Sequence, residues 1–491
     1  MKAVVIGAGV AGLATAAYLG YEGYEVTVVE KNDAIGGRAG SLAVDGFRWD
    51  TGPSWYLMPD AFDHFFEFFG SSTAERFKLE TLDPAYRLFP EGMQPLDVSG
   101  TKAVELFESI EPGAGKALEE YLQSAAETYQ VAVDHFLYTT FTRLPLHRDV
   151  TTRLWLLLKL LSSNLESFVN ARFKDHRLRQ MLTYPAVFLS SAPRKTPAMY
   201  HLMSHTDLTQ GVMYPEGGFA AVIDAIADVA REQGASIRLG AEVAQILSKD
   251  GKAVGVELVD ATVLDADVVV SAADLKHTEQ ALLPKDLRTY PESYFAKRNP
   301  GIGTVLLYLG VEGELPELLH HNLLFSRDWD PDFEAVFNEP AGTSRSLYIS
   351  KPSATDSEVA PEGYENLFVL VPVRADEHFN REEQVADAAI EQIAQWTGIE
   401  DLAQRIVQRH IVGPKHFAEQ YYAWSGGSVG PAHTLKQSAL LRGSNASKKV
   451  DGLYYAGATT VPGVGVPMCL ISAENVLKRL RGDTSHQALE R

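Results

Sequence analysis

The sequence lacks what several classes of protein require. Its 491 residues include a single cysteine, Cys469, which excludes an internal disulfide framework and a cysteine metal cluster. We expect this cysteine to be a small apolar residue of a helix. No apolar run reaches the roughly 18 residues that a membrane-spanning helix needs. There is no HExxH motif and no His/Cys cluster at metal-ligand spacing, so we expect no metal site.

The chain is also poor in positive charge. A formal net charge of −20 argues against nucleic acid as a partner. The hydrophobic content of 45% is ordinary, and a chain of this length predicts two or three globular domains. Strand-like residues begin almost at Met1, so we expect no signal or transit peptide before the fold and a cytoplasmic location.

The first 30 residues carry the motif around which the chain is organised. Residues 3–7 are an apolar run typical of a buried parallel strand, residues 13–19 favour a helix, and residues 25–30 form a second strand-like run. The strand–helix–strand order is the one that a dinucleotide-binding unit needs. The alternative is an ordinary glycine-rich turn.

Three glycines, Gly7, Gly9 and Gly12, stand at the G-x-G-x-x-G spacing between the first strand and the helix. We expect Gly7 to make the tight turn, Gly9 to let the backbone approach a pyrophosphate, and Gly12 to allow close helix–strand packing. The helix N-terminus offers N–H groups to the phosphates. Glu30, at the end of the second strand, can accept hydrogen bonds from both ribose hydroxyls.

A second glycine cluster follows at Gly36, Gly37 and Arg38, ahead of the segment GFRWDTGPSW at residues 46–55. Read alone, it is a helix-ending turn with a surface cation. Together with the first motif it resembles the flavoproteins with two dinucleotide-binding domains, which include amine oxidases, protoporphyrinogen oxidase and carotenoid desaturases. The resemblance implies FAD as the cofactor. It places Gly37 and Arg38 beside the pyrophosphate and residues 52–54 near the flavin ring.

The C-terminal motif DGLYYAGATTVPGVGVP, from residue 451, is similar to that of bacterial carotenoid desaturases of the phytoene desaturase type. Many flavoproteins have an acid directly after Gly457, where this chain has Ala458, so ribityl contacts fall to the backbone or to Thr459. The resemblance also puts Val243 at the adenine end of FAD. The expected cofactor-binding residues are therefore Gly7, Gly9, Gly12, Glu30, Lys31, Gly37, Arg38, Pro53, Ser54, Val243, Gly457, Gly465 and Val466.

These motifs imply an α/β fold: a Rossmann-like FAD domain with an antiparallel-sheet substrate domain and a helical insertion. We expect the FAD domain to be formed by three segments and the other two parts to lie between them. The boundaries are 1–80 for the first FAD segment, 81–102 for the crossover, 103–210 for the helical insertion, 211–289 for the second FAD segment, 290–414 for the substrate domain and 415–491 for the third FAD segment. Within the insertion, composition predicts helices over 104–110, 114–138, 151–173 and 175–184.

One of these helices, 151–173, is rich in leucine and contains Trp155. Residues 143–179 hold eight basic residues against three acids in a strongly acidic chain. This pattern favours peripheral attachment to the inner face of the cell membrane, with the apolar row 154–161 at the lipid boundary. The alternative is a core helix with basic neighbours on a solvated face.

The resemblance implies desaturation of a hydrophobic polyene precursor, phytoene towards lycopene, with hydride transfer to the flavin and loss of a proton from the neighbouring carbon. We expect oxygen or a quinone as the electron acceptor. Asp149, between Arg148 and Arg153, is the acid–base candidate, although an N-cap role for it is favoured. Two rivals remain, a flavin amine oxidase and a non-enzymatic lipid-escort protein of the same fold. Residues 459–461 form no aromatic amine cage, and the intact FAD motifs argue against the escort.

Overall fold

The computed structural model of the protein describes residues 1–142 and 160–491. The strands, in chain order, are β1 Lys2–Ile6, β2 Glu25–Val29, β3 Ser41–Val44, β4 Phe47–Asp50, β5 Leu79–Thr81, β6 Tyr86–Pro90, β7 Leu96–Val98, β8 Met213–Pro215, β9 Ser236–Arg238, β10 Val243–Lys249, β11 Lys252–Leu258, β12 Val263–Asp265, β13 Val268–Ser271, β14 Ile302–Glu312, β15 His321–Phe325, β16 Leu347–Ser350, β17 Tyr364–Arg374, β18 Ile406–Val412 and β19 Leu453–Tyr455.

Helices lie between many of these strands. The α-helices of the described residues are Val10–Tyr21, Pro59–Phe68, Thr73–Arg76, Ala103–Ile110, Ala114–Ala132, Leu165–Asn170, His176–Thr183, Pro185–Phe188, Met203–Leu208, Gly218–Glu232, Leu275–Gln280, Glu292–Phe295, Asp330–Asn338, Glu382–Thr397, Leu402–Arg405, Pro414–Tyr421 and Val466–Arg481. Among the described residues, no helix combines the length and apolar character needed to cross a bilayer.

A parallel sheet in the order β19-β13-β1-β2-β9 forms the first layer. Its strands come from both ends and the middle of the chain. The three inner strands, β13, β1 and β2, are rich in valine because a parallel sheet is covered on both faces. The first helix, Val10–Tyr21, packs on this sheet between the helices Gly218–Glu232 and Val466–Arg481. Small side chains such as Ala14 and Ala17, both fully buried, allow this close approach.

A seven-stranded sheet in the order β18-β14-β17-β16-β15-β6-β7 forms the second large layer. Alternation along β14 gives it two faces. Val305, Leu307 and Leu309 pack with the helix Glu382–Thr397 in one core, whereas Thr304 and Leu306 line a cavity on the other side. The strands of residues 290–414 pair antiparallel, as expected, and the sheet continues at one edge with strands from another segment. There β6 pairs in parallel with β15, because β6 and β7 come from the crossover segment.

The region between β7 and β8 contains helices and no strand in its described part. The prediction of one continuous helix over 151–173 is wrong at its C-terminal end. The chain leaves the helix at Ser163 and Asn164, and the Asn164 side chain caps a new helix, Leu165–Asn170, by accepting from the Ser167 N–H at 2.8 Å. Asn164 also forms a β-bridge to Pro197, so a tertiary contact ends the helix that includes residues 160–162. Asparagine favours this because its side chain competes for backbone N–H groups.

Candidate functional site

A cavity of about 550 Å³ lies between the carboxyl ends of the parallel sheet and one face of the seven-stranded sheet. Of the thirteen expected cofactor-binding residues, all except Gly12 line it. Its position at the carboxyl ends of parallel strands is the usual place for a ligand in such sheets. The lining residues from that set are Gly7, Gly9, Glu30, Lys31, Gly37, Arg38, Pro53, Ser54, Val243, Gly457, Gly465 and Val466.

The glycines of the first motif each meet a different constraint. Gly7 has φ of +97°, a backbone conformation that other residues rarely adopt. A Cβ on Gly12 would lie 1.8 Å from the Gly7 carbonyl oxygen, so Gly12 lets the helix sit on the strand without itself reaching the cavity. Gly9 caps the helix Val10–Tyr21 with no side-chain bond. The first N–H groups of that helix therefore remain available to a phosphate.

Glu30 is buried at the end of β2, with 6% of its surface exposed. One carboxylate oxygen accepts from the Ala8 N–H at 2.8 Å and the other from the Asn32 N–H at 2.9 Å. A carboxylate has about four acceptor positions, so two remain for ribose hydroxyls. Glu30 therefore holds the glycine loop and faces the cavity at the same time.

The second glycine cluster packs directly on the first. The Gly36 N–H donates to the Ala8 carbonyl at 2.9 Å, which brings Gly37 beside Gly9. The Arg38 guanidinium donates to the Val429 carbonyl at 3.2 Å and lies 3.7 Å from a carboxylate oxygen of Asp274. These contacts fix the Arg38 guanidinium in the cavity wall. Arg38 is therefore not the surface cation that the alternative interpretation of this motif predicts.

Gly52 also lines the cavity, and a close backbone contact explains why this position is a glycine. A Cβ there would lie 2.1 Å from the Arg38 carbonyl oxygen. This contact fixes the loop that carries Pro53 and Ser54 against Arg38.

A second helix N-terminus reaches the cavity at Gly465. This glycine caps the helix Val466–Arg481 with φ of +115° and no side-chain bond, so the first N–H groups of a long helix are free of capping side chains. Nearby, the Gly457 N–H donates to Ser472 at 2.9 Å, which anchors the preceding loop to this helix. The Thr459 hydroxyl accepts from the Leu275 N–H at 3.1 Å and retains its own proton for a ligand. Cys469 lies in this helix, and burial raises the pKa of its thiol to about 11.

The end of the cavity near Val243 contains aromatic groups that sequence patterns did not indicate. The Lys31 ammonium lies 3.8 Å from the centre of the Tyr422 ring, within cation–π range. The His277 ring stacks on the Tyr422 ring, with ring centres 4.0 Å apart and planes 6° apart. These residues are far apart in sequence, so no local pattern joins them.

The remainder of the cavity is almost entirely apolar. One wall is the sheet face, and another is the helix Asp330–Asn338, which presents Phe333, Val336 and Phe337 to the cavity. Arg194 holds this helix by ion pairs to Asp330 at 2.9 Å and Glu334 at 3.7 Å. The apolar wall residues from the sheet are Leu306, Leu323, Phe325, Phe368, Leu370 and Pro372.

A buried carboxylate stands behind this apolar wall. Asp207 accepts a hydrogen bond from the Tyr184 hydroxyl at 2.7 Å, and its other oxygen has no partner among the described residues. Burial raises the pKa of Asp207 to about 7, and the bond from Tyr184 opposes this only in part.

Asp149, Arg148 and Arg153 lie outside the described residues, as does most of the apolar row 154–161. Leu160, in that row, is buried in the protein with 1% exposure, so the expectation that it enters lipid is wrong. Leu165 and Val169 from the same predicted helix belong to a core cluster.

The basic residues after that segment have different surroundings. Arg172 and Lys174 are exposed. Arg177 is paired with Asp175 at 2.8 Å, and Arg179 donates to the Phe173 carbonyl at 2.7 Å.

Two glycine-capped helix ends, a buried acid with free acceptor positions and a wall of close backbone contacts fit a dinucleotide whose far end enters an apolar chamber. The fold and this cavity define a flavin-type oxidoreductase. The family model described as flavin containing amine oxidoreductase matches residues 10–479. The wild-type putrescine oxidase structure has the same fold, with a TM-score of 0.61 and 15% identity over 98% of this chain and 99% of that one.

Two curated relatives refine the class. A carotenoid 3,4-desaturase of Haloarcula japonica is 42% identical over 98% of each chain. A zeta-carotene-forming phytoene desaturase of Myxococcus xanthus is 33% identical over 98% of this chain and 93% of its own length. The chain belongs to the FAD-dependent carotenoid desaturase family. The predicted family, fold class and FAD cofactor are therefore confirmed.

Proposed function

We propose that the protein desaturates a linear carotenoid precursor of C40 length, with phytoene towards lycopene as the reaction that the end motifs favour. The observation that carries this is the continuity of the nucleotide cradle with the apolar chamber: one cavity includes both Glu30 and Phe337. A chamber of this kind suits a long hydrocarbon and offers little to a charged amine.

The cofactor supplies the hydride acceptor that an unactivated carbon–carbon bond requires. The protein supplies the rest. Glu30, Arg38 and the two helix N-termini hold and orient the dinucleotide, while the aromatic and aliphatic walls exclude water. Exclusion of water prevents a side reaction in which water adds to the positively charged carbon that develops next to the double bond of the substrate.

A second candidate is desaturation at the 3,4 position of a carotenoid that is already conjugated. The relative with 42% identity carries that activity in its name, whereas the phytoene desaturase relative has 33% identity. Identity thus favours the 3,4 position, and the end motifs favour phytoene.

Incubation with carotenoid liposomes separates the two candidates. Purified flavin-containing protein is mixed with phytoene or with lycopene, and the polyene absorbance is recorded. New long-wavelength bands from phytoene support the first candidate, and a red shift of lycopene supports the second. If neither carotenoid changes while the flavin spectrum is intact, the proposed function is wrong.

We further propose that electrons leave to oxygen or a quinone and that the protein attaches to the membrane peripherally. One complete G-x-G-x-x-G motif is present and FAD uses it, which supports turnover without NAD(P)H. Stoichiometric consumption of NADPH in the same assay would contradict this. The basic segment 143–179, with Arg172 and Lys174 exposed, supports the membrane proposal.

A further inference from the structure

Three polar side chains form a hydrogen-bonded chain where the nucleotide cradle meets the apolar chamber. The Ser54 hydroxyl oxygen lies 2.8 Å from the Tyr348 hydroxyl oxygen, which lies 2.7 Å from Nδ1 of His321. Ser54 and Tyr348 line the cavity, and His321 lies fully buried behind them. A continuous path therefore leads from the cavity wall into the protein.

The elements around this chain fix its geometry. His321 begins β15 and Tyr348 lies in β16. The register pairs His321 with Ser350 and Leu323 with Tyr348, so His321 and Tyr348 are diagonal neighbours on one sheet face. The Trp55 ring stacks on His321 with centres 4.4 Å apart and planes 9° apart. Since Trp55 follows Ser54 in the chain, this stacking holds the Ser54 loop against the sheet.

The protonation states of His321 and Tyr348 determine which atom donates in each of these hydrogen bonds. Burial, together with neighbouring His320, lowers the pKa of His321 well below its ordinary value, so its ring is neutral. Burial raises the pKa of Tyr348, so its hydroxyl keeps its proton. A neutral imidazole has one nitrogen lone pair. From the network we assign it to Nδ1, so that Tyr348 donates to His321 and Ser54 donates to Tyr348.

Burial of these three polar side chains beside an apolar chamber has a cost in folding stability. Burying polar atoms lowers stability unless their hydrogen bonds are satisfied, and Nε2 of His321 has no partner among the described residues. The carboxylates in the cavity wall are already engaged: Glu30 by two backbone N–H groups, Asp274 by Arg38 and a helix N-terminus, and Asp332 by serine hydroxyls and backbone N–H groups. Glu242 accepts from Tyr422.

We propose that the chain Ser54–Tyr348–His321 accepts the proton that the carotenoid loses on desaturation. The inference rests on the proposed function. One carbon loses a hydride, with its electron pair, to the cofactor. The C–H bond of the neighbouring carbon breaks, and its electrons become the new π bond. The released proton bonds to the Ser54 oxygen, the Ser54 proton moves to Tyr348, and the Tyr348 proton moves to Nδ1 of His321. Both oxygens end neutral, and the positive charge resides on the imidazolium.

Two variants interrupt this path at different atoms. Tyr348→Phe removes the central hydroxyl, and His321→Asn keeps an acceptor for Tyr348 but cannot hold a proton. Tyr86→Phe is the control, because it removes another buried tyrosine hydroxyl and leaves the three residues of the chain intact. Flavin reduction is followed anaerobically in a single turnover with the carotenoid that the wild type oxidises. Loss of an acid–base group slows its step by roughly a hundredfold or more. We expect that decrease in both variants, with wild-type flavin content, and a wild-type rate in the control.

An isotope measurement distinguishes proton transfer from structural damage. Two substrates carry deuterium at one or the other carbon of the oxidised bond. In both variants we expect a larger isotope effect at the carbon that loses the proton and no increase at the carbon that loses the hydride. Either variant reducing its flavin at the wild-type rate overturns the proposal, as does a decrease with unchanged isotope effects.

Asp149→Asn is measured in parallel. If it alone enlarges the proton isotope effect, Asp149 is the acceptor. If the wild type itself is not reduced by any carotenoid, the proposed function fails and the inference fails with it.

Discussion

Glu30 joins two tasks in one side chain, because it accepts from two backbone N–H groups and also faces the cavity. We expect Glu30→Ala to weaken FAD binding. A hydrogen bond to a charged group contributes roughly 1.5–3 kcal/mol, so the dissociation constant should rise about tenfold or more. Titration of the apoprotein with FAD measures this. Glu25→Ala is the matched control, since Glu25 is exposed at the start of the same strand. Equal affinity in both variants would contradict the assignment of Glu30.

Asp207 predicts a pH dependence of stability. Its pKa is about 7 in the folded protein and roughly 4 in an unfolded chain. Between these values the folded state holds a proton that the unfolded state has lost, so unfolding free energy falls as pH rises through this window. Asp207→Asn lacks this effect. Relative to the wild type, we expect the variant to gain roughly 2–3 kcal/mol in unfolding free energy between pH 5 and pH 8.

Denaturant unfolding at several pH values tests this prediction. Asp224→Asn is the control because it removes an exposed carboxylate from the helix Gly218–Glu232. A pH-independent difference between Asp207→Asn and the wild type would show that Asp207 is ionised in the folded protein across this range.

At the scale of an element, the two glycines at the start of the helix Val10–Tyr21, Gly9 and Gly12, have different roles. A Cβ on Gly12 would overlap the Gly7 carbonyl, whereas a Cβ on Gly9 would lie 3.8 Å from the nearest protein atom, the Gly36 carbonyl oxygen. We therefore expect Gly12→Ala to lower the melting temperature of the apoprotein, since overpacking costs about 1–3 kcal/mol. Gly9→Ala should leave that temperature unchanged and weaken FAD binding. Calorimetry and FAD titration of both variants check this, and the reverse pattern would contradict it.

The whole molecule must reach a substrate that partitions into lipid. Near an anionic membrane each basic residue contributes about 1 kcal/mol to binding. Because the screening length is about 8 Å, repulsion between the membrane and the distant acidic surface of the protein is weak. We expect a Trp155→Ser, Leu158→Ser double variant to leave anionic liposomes and to lose turnover of liposomal carotenoid. Flavin content should stay unchanged, because the cofactor motifs lie elsewhere.

Sedimentation with anionic and neutral liposomes measures this binding. The control is Leu160→Ser: Leu160 is buried, so this change should destabilise the protein and leave the flavin-loaded fraction bound to lipid. If the double variant instead loses flavin or aggregates, its two residues belong to the core and the membrane proposal is wrong.

The sequence by itself determined the cofactor cradle. Glycine spacing, an acid at a strand end and a short continuous apolar run are local patterns, and local backbone geometry enforces them. Tertiary structure alone decided the rest. Pairing in the seven-stranded sheet brings His321 beside Tyr348, and loop packing adds Ser54. The bridge from Asn164 to Pro197 ends a helix that composition would continue. Contacts between residues far apart in the chain leave no periodic signal, so only the folded chain reveals them.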